Sequence, residues 1–296
     1  MSENKRRAFA ARLKQKKLIV APGIFDGISA KIADRMGFEC LYMTGYGVVA
    51  SHLGLPDAGI ATYTEMSNRV AQLSSVTGTP LVADGDTGYG GLLNVRHTVR
   101  GYEKAGACAI QLEDQEFPKK CGHVLGRRVI AREDMAAKIR VAAETRDSRD
   151  FLIIARTDAR TTLGLDEALR RAETYLRAGA DLLFVESPES VEEMQRIGKT
   201  FDVPLVANMV EGGRTPVLTA AELQEIGYRF AIFPAVGFLA MGAALESAYA
   251  GLKRDGSSTK LDVPLYPFKD FSALMGFDDV NAFDKKYADA AEAFKS

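Results

Sequence analysis

No run of apolar residues in this chain is long enough to span a bilayer, and no signal-peptide core is present, so neither a membrane span nor export is expected. No long block of like charge stands out. The 38 basic and 39 acidic residues leave a formal charge of −1, which argues against nucleic-acid binding. Cysteine is scarce: Cys40, Cys108 and Cys121 form no CxxC pair, which excludes a disulfide framework and fits a reducing cytoplasm. Tryptophan is absent altogether. What remains is ample apolar material, 47% of 296 residues, enough for a full core. The basic start (Lys5, Arg6, Arg7, Arg12, Lys14, Lys16, Lys17) reads as an exposed helix face and not as a transit peptide, because Phe9 and Leu13 stand at i, i+4 spacing.

Eight short apolar runs, 18–25, 40–44, 80–86, 109–114, 151–158, 182–187, 204–209 and 230–235, are the predicted strands. Amphipathic stretches at 27–37, 64–77, 94–106, 133–146, 166–179, 190–200 and 219–227 lie between them. Such alternation predicts parallel strands with helical crossovers, and eight units in about 250 residues is the arithmetic of a (β/α)8 barrel. Three joints, at 36–38, 105–107 and 178–180, carry a glycine suited to the position just past a helix end. A doubly wound sheet is the competitor. Its support is Gly45-Tyr46-Gly47-Val48-Val49-Ala50, a nominal GxGxxA, set aside because Gly54 and Pro56 leave little room for a helix there. The whole chain, 1–296, is expected to be one barrel domain. Its tail, 264–296, is expected to be helical, with Tyr266, Phe268 and Phe271 suited to docking on this subunit or a neighbour.

Polar groups gather at the C-terminal ends of these strands, where a barrel keeps its active site. Asp84 and Asp86, two apart on the third strand, should point the same way. Converging carboxylates repel unless a cation intervenes, and hard oxygen ligands favour Mg²⁺. Glu113-Asp114, Arg156-Thr157-Asp158, Glu186 and Asn208 end the next four strands. Any one of these could cap a helix or form an ion pair; five strands ending so in register favour a site. The segment 116–128 reads as a mobile loop with glycines at 122 and 126. Lys119 and Lys120 beside Cys121 favour its thiolate and attract anions, and they raise the functional standing of His123. Cys40 and Cys108 read as core, and His52 and His97 as structural. Asp57, after Pro56, suits a turn. Gly212-Gly213-Arg214 reads as a plain loop or as a nest of N–H groups for a carboxylate.

Lys119-Lys120-Cys121-Gly122-His123 resembles the catalytic loop of the isocitrate lyase / phosphoenolpyruvate mutase superfamily, and Asp84 to Gly90 its metal-binding strand end. The resemblance runs from about Pro22 to about Leu252. It implies a (β/α)8 barrel, Mg²⁺ (with Mn²⁺ as an alternative), and a homotetramer exchanging C-terminal helices. It assigns Asp84, Asp86 and Glu113 to the metal, directly or through water. It assigns Tyr42, Thr44, Gly45 and Tyr46 to the 2-oxoacid half of the substrate, and Asp57 to a polar place near the metal. Arg156 becomes the substrate arginine, Glu186 and Asn208 the far wall, and Cys121 the cysteine of the gating loop.

That cysteine favours C–C over P–C cleavage. Isocitrate lyases proper carry a Ser- and Trp-containing motif after the seventh strand. Here the segment reads Asn208-Met209-Val210-Glu211-Gly212-Gly213, without the Thr and Phe of methylisocitrate lyases. The expectation is cleavage of a 2-hydroxy di- or tricarboxylate, of 2,3-dimethylmalate or 2-methylisocitrate type, to a 2-oxoacid such as pyruvate and a carboxylate. The substituted malate is preferred, because losing the Thr hydroxyl removes a donor for a third carboxylate. In this reading Tyr42 is the candidate base, Cys121 the proton donor, and Lys119, Lys120, His123 and Arg156 the surrounding cations and donors. Oxaloacetate hydrolase, phosphonomutase and a non-catalytic carboxylate-binding barrel are the alternatives.

Overall fold

The computed structural model describes residues 2–124 and 126–288. All eight predicted strands form: β1 (Ile19–Ile24), β2 (Leu41–Met43), β3 (Leu81–Asp84), β4 (Ala109–Glu113), β5 (Leu152–Thr157), β6 (Leu182–Val185), β7 (Val206–Asn208) and β8 (Phe230–Phe233). Every pairing is parallel, in the order β6-β5-β4-β3-β2-β1-β8-β7. A parallel bridge between Leu183 and Leu205 joins the two ends, so the sheet closes into the (β/α)8 barrel.

The helices are α1 (Ser2–Leu13), α2 (Gly27–Arg35), α3 (Gly45–Leu53), α4 (Tyr63–Val76), α5 (Leu92–Lys104), α6 (Arg132–Thr145) and α7 (Arg160–Leu163). They continue as α8 (Leu165–Arg177), α9 (Val191–Thr200), α10 (Ala220–Ile226), α11 (Val236–Asp255), α12 (Phe268–Met275) and α13 (Phe277–Tyr287). The joint glycines Gly37, Gly106 and Gly179 all have positive φ, as the helix-end reading required.

Two expectations are corrected. A helix does open at the GxGxxA segment: α3 begins at Gly45, with the Thr44 side chain capping the Gly47 N–H. The barrel excludes the doubly wound sheet; lack of room for a helix does not. The basic N-terminal start does expose Arg7, Lys14, Lys16 and Lys17 as expected, but Arg6 departs from that reading. Phe9 and Leu13 are buried, and the Phe9 ring meets Phe230, the first residue of β8, edge-on at 5.7 Å. Helix α1 therefore plugs the N-terminal end of the barrel, at about 1.5–3 kcal/mol for each large side chain removed from water. Arg6 is buried with it, donating to the Ala107 carbonyl at 3.0 Å beside Glu103.

A second set of apolar residues packs the outer face of the sheet against the helices. Cys40 and Cys108 are core residues, as expected, and the His97 ring lies 4.5 Å from that of Tyr63. The described residues fall into two compact units, one ending at Leu239 and the other beginning at Ala240. The second unit holds most of α11 together with α12 and α13, and the Tyr266 and Phe271 rings pack edge-on within it at 5.7 Å. Part of the tail expected to be helical over 264–296, from 289 on, lies outside the described residues. Among those described, no helix is long and apolar enough to cross a membrane.

Candidate active site

The strands deliver their last residues to one mouth. Asp84 ends β3, Glu113 ends β4 and Asn208 ends β7, while Arg156 stands one residue before the end of β5. They line a cavity of about 270 Å³ with Tyr42, Thr44, Tyr46, Asp57, Lys119, Lys120, Cys121 and His123. Three expected site residues stand just behind this wall. Gly45 leaves room for Asp84, whose Oδ2 would lie 2.7 Å from a Cβ at that position. Asp86 pairs with Lys119, and Glu186 accepts from Asn208 Nδ2 at 3.1 Å.

Asp84 and Asp86 do meet, but not by strand alternation. β3 stops at Asp84, and Asp86 sits in a turn at φ 47°. The Asp86 N–H donates to Asp84 Oδ1 at 3.1 Å, and its carbonyl accepts from the Glu113 N–H at 2.9 Å. Burial pushes the Asp84 carboxyl up, that of Asp86 to about 7, and that of Glu113 well above its ordinary range. Lys119 opposes the rise at the two aspartates and Arg156 at Glu113.

The floor is therefore short of positive charge. Glu113 Oε1 is buried with no hydrogen-bond partner, and Asp86 Oδ1 has only an ion-pair contact to Lys119 Nζ at 2.7 Å, without hydrogen-bond alignment. An all-oxygen, anionic, under-satisfied floor fits a hard divalent cation. Among the described residues, no three such side chains close on a single point. The three carboxylates expected as ligands thus do not by themselves enclose a cation.

The described residues of the loop 116–128 lie closed over the mouth. Its neck is a bridge from Gln115 to Val129, and the Glu116 N–H donates to the Arg128 carbonyl at 2.8 Å. The Gln115 side chain bonds both ways with the main chain of Lys120, at 2.8 and 3.0 Å. The Cys121 N–H donates to the Asp57 carbonyl at 3.2 Å, and Ser187 Oγ donates to the Gly122 carbonyl at 2.9 Å. Gly122 is required for close approach more than for mobility: a Cβ there would run into the Arg156 guanidinium and stand 2.8 Å from the Glu186 carboxylate.

The charge reading of this loop is corrected. Lys119 is buried and paired with Asp57 and Asp86, so it does not form an exposed anion-attracting face. Cys121 is not driven to thiolate; burial pushes its thiol above the ordinary value of 9.0, with Asp57 and Glu186 adding to the rise. His123 is pushed below 6.5, again mainly by burial. Tyr42 does not suit the role of base. Its hydroxyl donates to Gln111 Oε1 at 2.9 Å, and burial beside Asp84 drives its acidity far from neutrality. The post-β7 nest is also engaged, since the Gly213 N–H donates to the Val210 carbonyl at 3.0 Å and the Arg214 N–H to His123 Nδ1 at 3.1 Å.

Sequence reasoning missed Gln111 and Arg127. Gln111 Nε2 donates to Asp84 Oδ1 at 3.3 Å, linking Tyr42 to the floor. Its inward place on β4 was legible from alternation; its partners were not. Arg127 is buried, donating from Nε to the Val124 carbonyl at 3.1 Å and pairing with Asp158. Asp158 also takes two bonds from Arg156, both 2.9 Å. Asp114 accepts from Thr157 Oγ1, Tyr175 and Arg171 within 3.0 Å. Asp114 and Asp158 are thus braces behind the site.

A family model described as phosphoenolpyruvate phosphomutase matches residues 9–253. The chain belongs to that family. It is a carbon–carbon lyase of the wider isocitrate lyase / phosphoenolpyruvate mutase superfamily. It is 48% identical to 2,3-dimethylmalate lyase of Eubacterium barkeri, across 93% of this chain and 96% of that protein. It is 40% identical to 2-methylisocitrate lyase of Aeropyrum pernix, across 95% of this chain and 90% of that one. A solved oxaloacetate acetylhydrolase bound to 3,3-difluorooxalacetate superposes with a TM-score of 0.90 at 34% identity, covering 96% of this chain and 97% of that one. Lyases and mutases of the superfamily use a divalent metal.

Proposed function

We propose that this lyase cleaves the C2–C3 bond of a substituted malate of the 2,3-dimethylmalate type, releasing a 2-oxoacid such as pyruvate and a carboxylate. The observation that carries the reading is Cys121: a thiol whose acidity burial weakens, under a closed loop, at the wall of a cavity with a carboxylate floor. A C–C lyase needs such a group. Cleavage turns the 2-hydroxyl into a carbonyl, its proton passing to the carboxylate floor, and leaves the bond electrons on C3 of the departing carboxylate, to which a general acid must deliver a proton.

Mg²⁺, with Mn²⁺ as an alternative, would be held by Asp84, Asp86 and Glu113, partly through water, and when bound supplies Lewis-acid stabilisation to the substrate's 2-oxygen. The chain's own groups do the rest. Arg156 faces the charge that develops as the bond breaks, assisted by His123 and Asn208 at the far wall, with Glu186 orienting Asn208. Thr44, Gly45 and Tyr46 grip the 2-oxoacid half. Lys119, tied to Asp57 and Asp86, fixes the loop to the floor, and Lys120 lines the wall beside Cys121. Closure excludes water and brings the Cys121 thiol to C3.

The wall also supports a malate. Ile232, Pro234, Ala235, Phe238 and Leu239 offer an apolar side for methyl substituents, and Val210, in the segment where methylisocitrate lyases tend to carry Thr, lines the cavity without a hydroxyl to offer a third carboxylate. We further propose a cytoplasmic protein, in line with three free cysteines, and a homotetramer exchanging C-terminal helices, in line with exposed Phe268, Phe277 and Phe283. Sedimentation at a monomer mass would remove the tetramer.

The likeness to oxaloacetate acetylhydrolase supports a second reading, hydrolysis of oxaloacetate to acetate and oxalate. One experiment separates them: 2-oxoacid release from a panel of 2-hydroxy di- and tricarboxylates with Mg²⁺ and with EDTA, oxalate from oxaloacetate being read separately. Metal-dependent pyruvate from a substituted malate is the expected result. Oxalate from oxaloacetate with silence on the malates would move the assignment to the hydrolase. Faster turnover of 2-methylisocitrate would overturn the malate preference.

A further inference from the structure

We infer that the turn 210–214 after β7 is the seat of the gating loop: the main-chain N–H of Arg214 positions His123, and Gly213 must lack a side chain for the ring to sit there. The Arg214 N–H donates to His123 Nδ1 at 3.1 Å. A Cβ on Gly213 would stand 2.7 Å from that same Nδ1 and 2.9 Å from Cε1, closer than real Cβ contacts come. The ring edge carrying Nδ1 therefore occupies the space that a side chain at 213 would fill.

The contact also assigns the tautomer. A ring nitrogen that accepts from a main-chain N–H carries no proton, so the neutral imidazole holds its hydrogen on Nε2. Nε2 lies 3.4 Å from Glu186 Oε1. Asn208 Nδ2, 3.3 Å away, is then a second donor and cannot bond it; that amide is directed to Glu186 Oε2. The donor side of the ring thus faces the far wall of the cavity, and its acceptor side faces the seat.

The seat is braced from behind. The Gly213 N–H closes the turn on the Val210 carbonyl, and Arg214 Nε donates to Glu189 at 3.1 Å. Glu189 also pairs with Arg160 at 2.6 Å. Val210, Glu211, Gly212 and Gly213 line the substrate cavity as well. A ligand that shifts the turn therefore shifts the place where the loop lands, which couples occupancy to closure. The Arg214 N–H and Gly213 act through His123 and are positioning groups. The effect on turnover rests on the lyase reading; the effect on the loop does not.

The test is hydrogen–deuterium exchange of the free enzyme, read at 116–128 and at the Arg214 amide. The variants are Gly213→Ala, His123→Ala and the two combined. Gly213→Ala is expected to raise exchange of the loop as much as His123→Ala does. Adding it to His123→Ala should change nothing more, because the ring it would strike is gone. In His123→Ala, whose barrel is untouched, the Arg214 amide should lose its protection. Wild-type loop protection in Gly213→Ala, additive effects in the pair, or an Arg214 amide indifferent to His123→Ala would each overturn the inference. On turnover, Gly213→Ala should lower kcat tenfold or more with KM changed less than threefold. A fall confined to KM would make the turn a substrate contact only. If the lyase reading fails, turnover is absent in wild type while the exchange pattern stands.

Discussion

The Cys121 amide donates to the Asp57 carbonyl across 3.2 Å, so main chain holds the thiol in place over the site. The side chain of the same Asp57 takes the Lys119 ammonium. The lysine that seemed to activate the cysteine is thus turned away from it and anchors the loop. This one relationship removes the Lys119 ammonium as a cause of thiolate formation, which suits the proton-donor role expected of Cys121.

Tyr42→Phe tests the exclusion of the phenol as the base. The phenol is bonded to Gln111 and stays protonated. Its removal should leave kcat within about tenfold, since a missing general base costs about 10²–10⁴. Stability should fall by about 1–3 kcal/mol, because Gln111 Oε1 is left buried and unpaired. A kcat loss of a thousandfold with an unchanged fold, by stopped-flow and circular dichroism, would restore Tyr42 as the base.

The pH profile should be broad, and the signs follow from the environment. Cys121 works protonated and its affinity for the proton is raised, so activity persists as pH rises and is lost only above the ordinary 9.0. His123 works neutral and its affinity is lowered, so activity persists as pH falls and is lost only below 6.5. The rate at saturating Mg²⁺ and substrate checks both limbs. An alkaline limb near 7 would mean a stabilised thiolate.

Metal binding should release protons. Carboxyls pushed up by burial, Asp86 to about 7, hold protons that a cation displaces. Below about pH 7 the release should be plain, and it should fade as pH rises through that value. Titrating Mg²⁺ calorimetrically in buffers of different ionisation heat measures it. Chelation should abolish activity, and restoring Mg²⁺ should both recover it and raise Tm, since the ion binds only the folded site. Equal proton release at pH 6 and pH 9 would contradict the charge-poor floor.

Disabling the seat of Asp57 should be felt through the loop. Asp57→Asn leaves the buried Lys119 with Asp86 as its remaining ion-pair partner. A cost of about 1–3 kcal/mol is expected from the half-paired ammonium, with faster proteolysis within 116–128. Urea titration and a cleavage time course read the two effects. Unchanged loop cleavage would detach Asp57 from closure.

The strands and most helices were legible because short apolar runs and period-3.6 patterns are local, and all eight strand runs lie where expected. The ends of the strands also exposed the site, since a parallel barrel places every C-terminal strand end at one mouth. What the sequence concealed was direction. Lys119 and Cys121 are neighbours in sequence, but only the fold shows the ammonium pointing to Asp57 and Asp86. Asp86 reached Asp84 through a left-handed turn that alternation did not anticipate. Nothing in the sequence singled out Arg127, yet it lies buried on Asp158. Helix α11 escaped notice because its first turns are apolar all round, without the amphipathic stripe that marked the others.

The central claim is that Cys121 delivers the proton to carbon. Comparing Cys121→Ser with wild type on the substrate selected by the panel tests it most directly. The thiol is an acid that serine cannot match at the same place, so turnover should fall by about 10²–10⁴ while circular dichroism and Tm stay as in wild type. Turnover within a few-fold of wild type, on a folded variant, would remove the cysteine from the chemistry and this account of the loop with it.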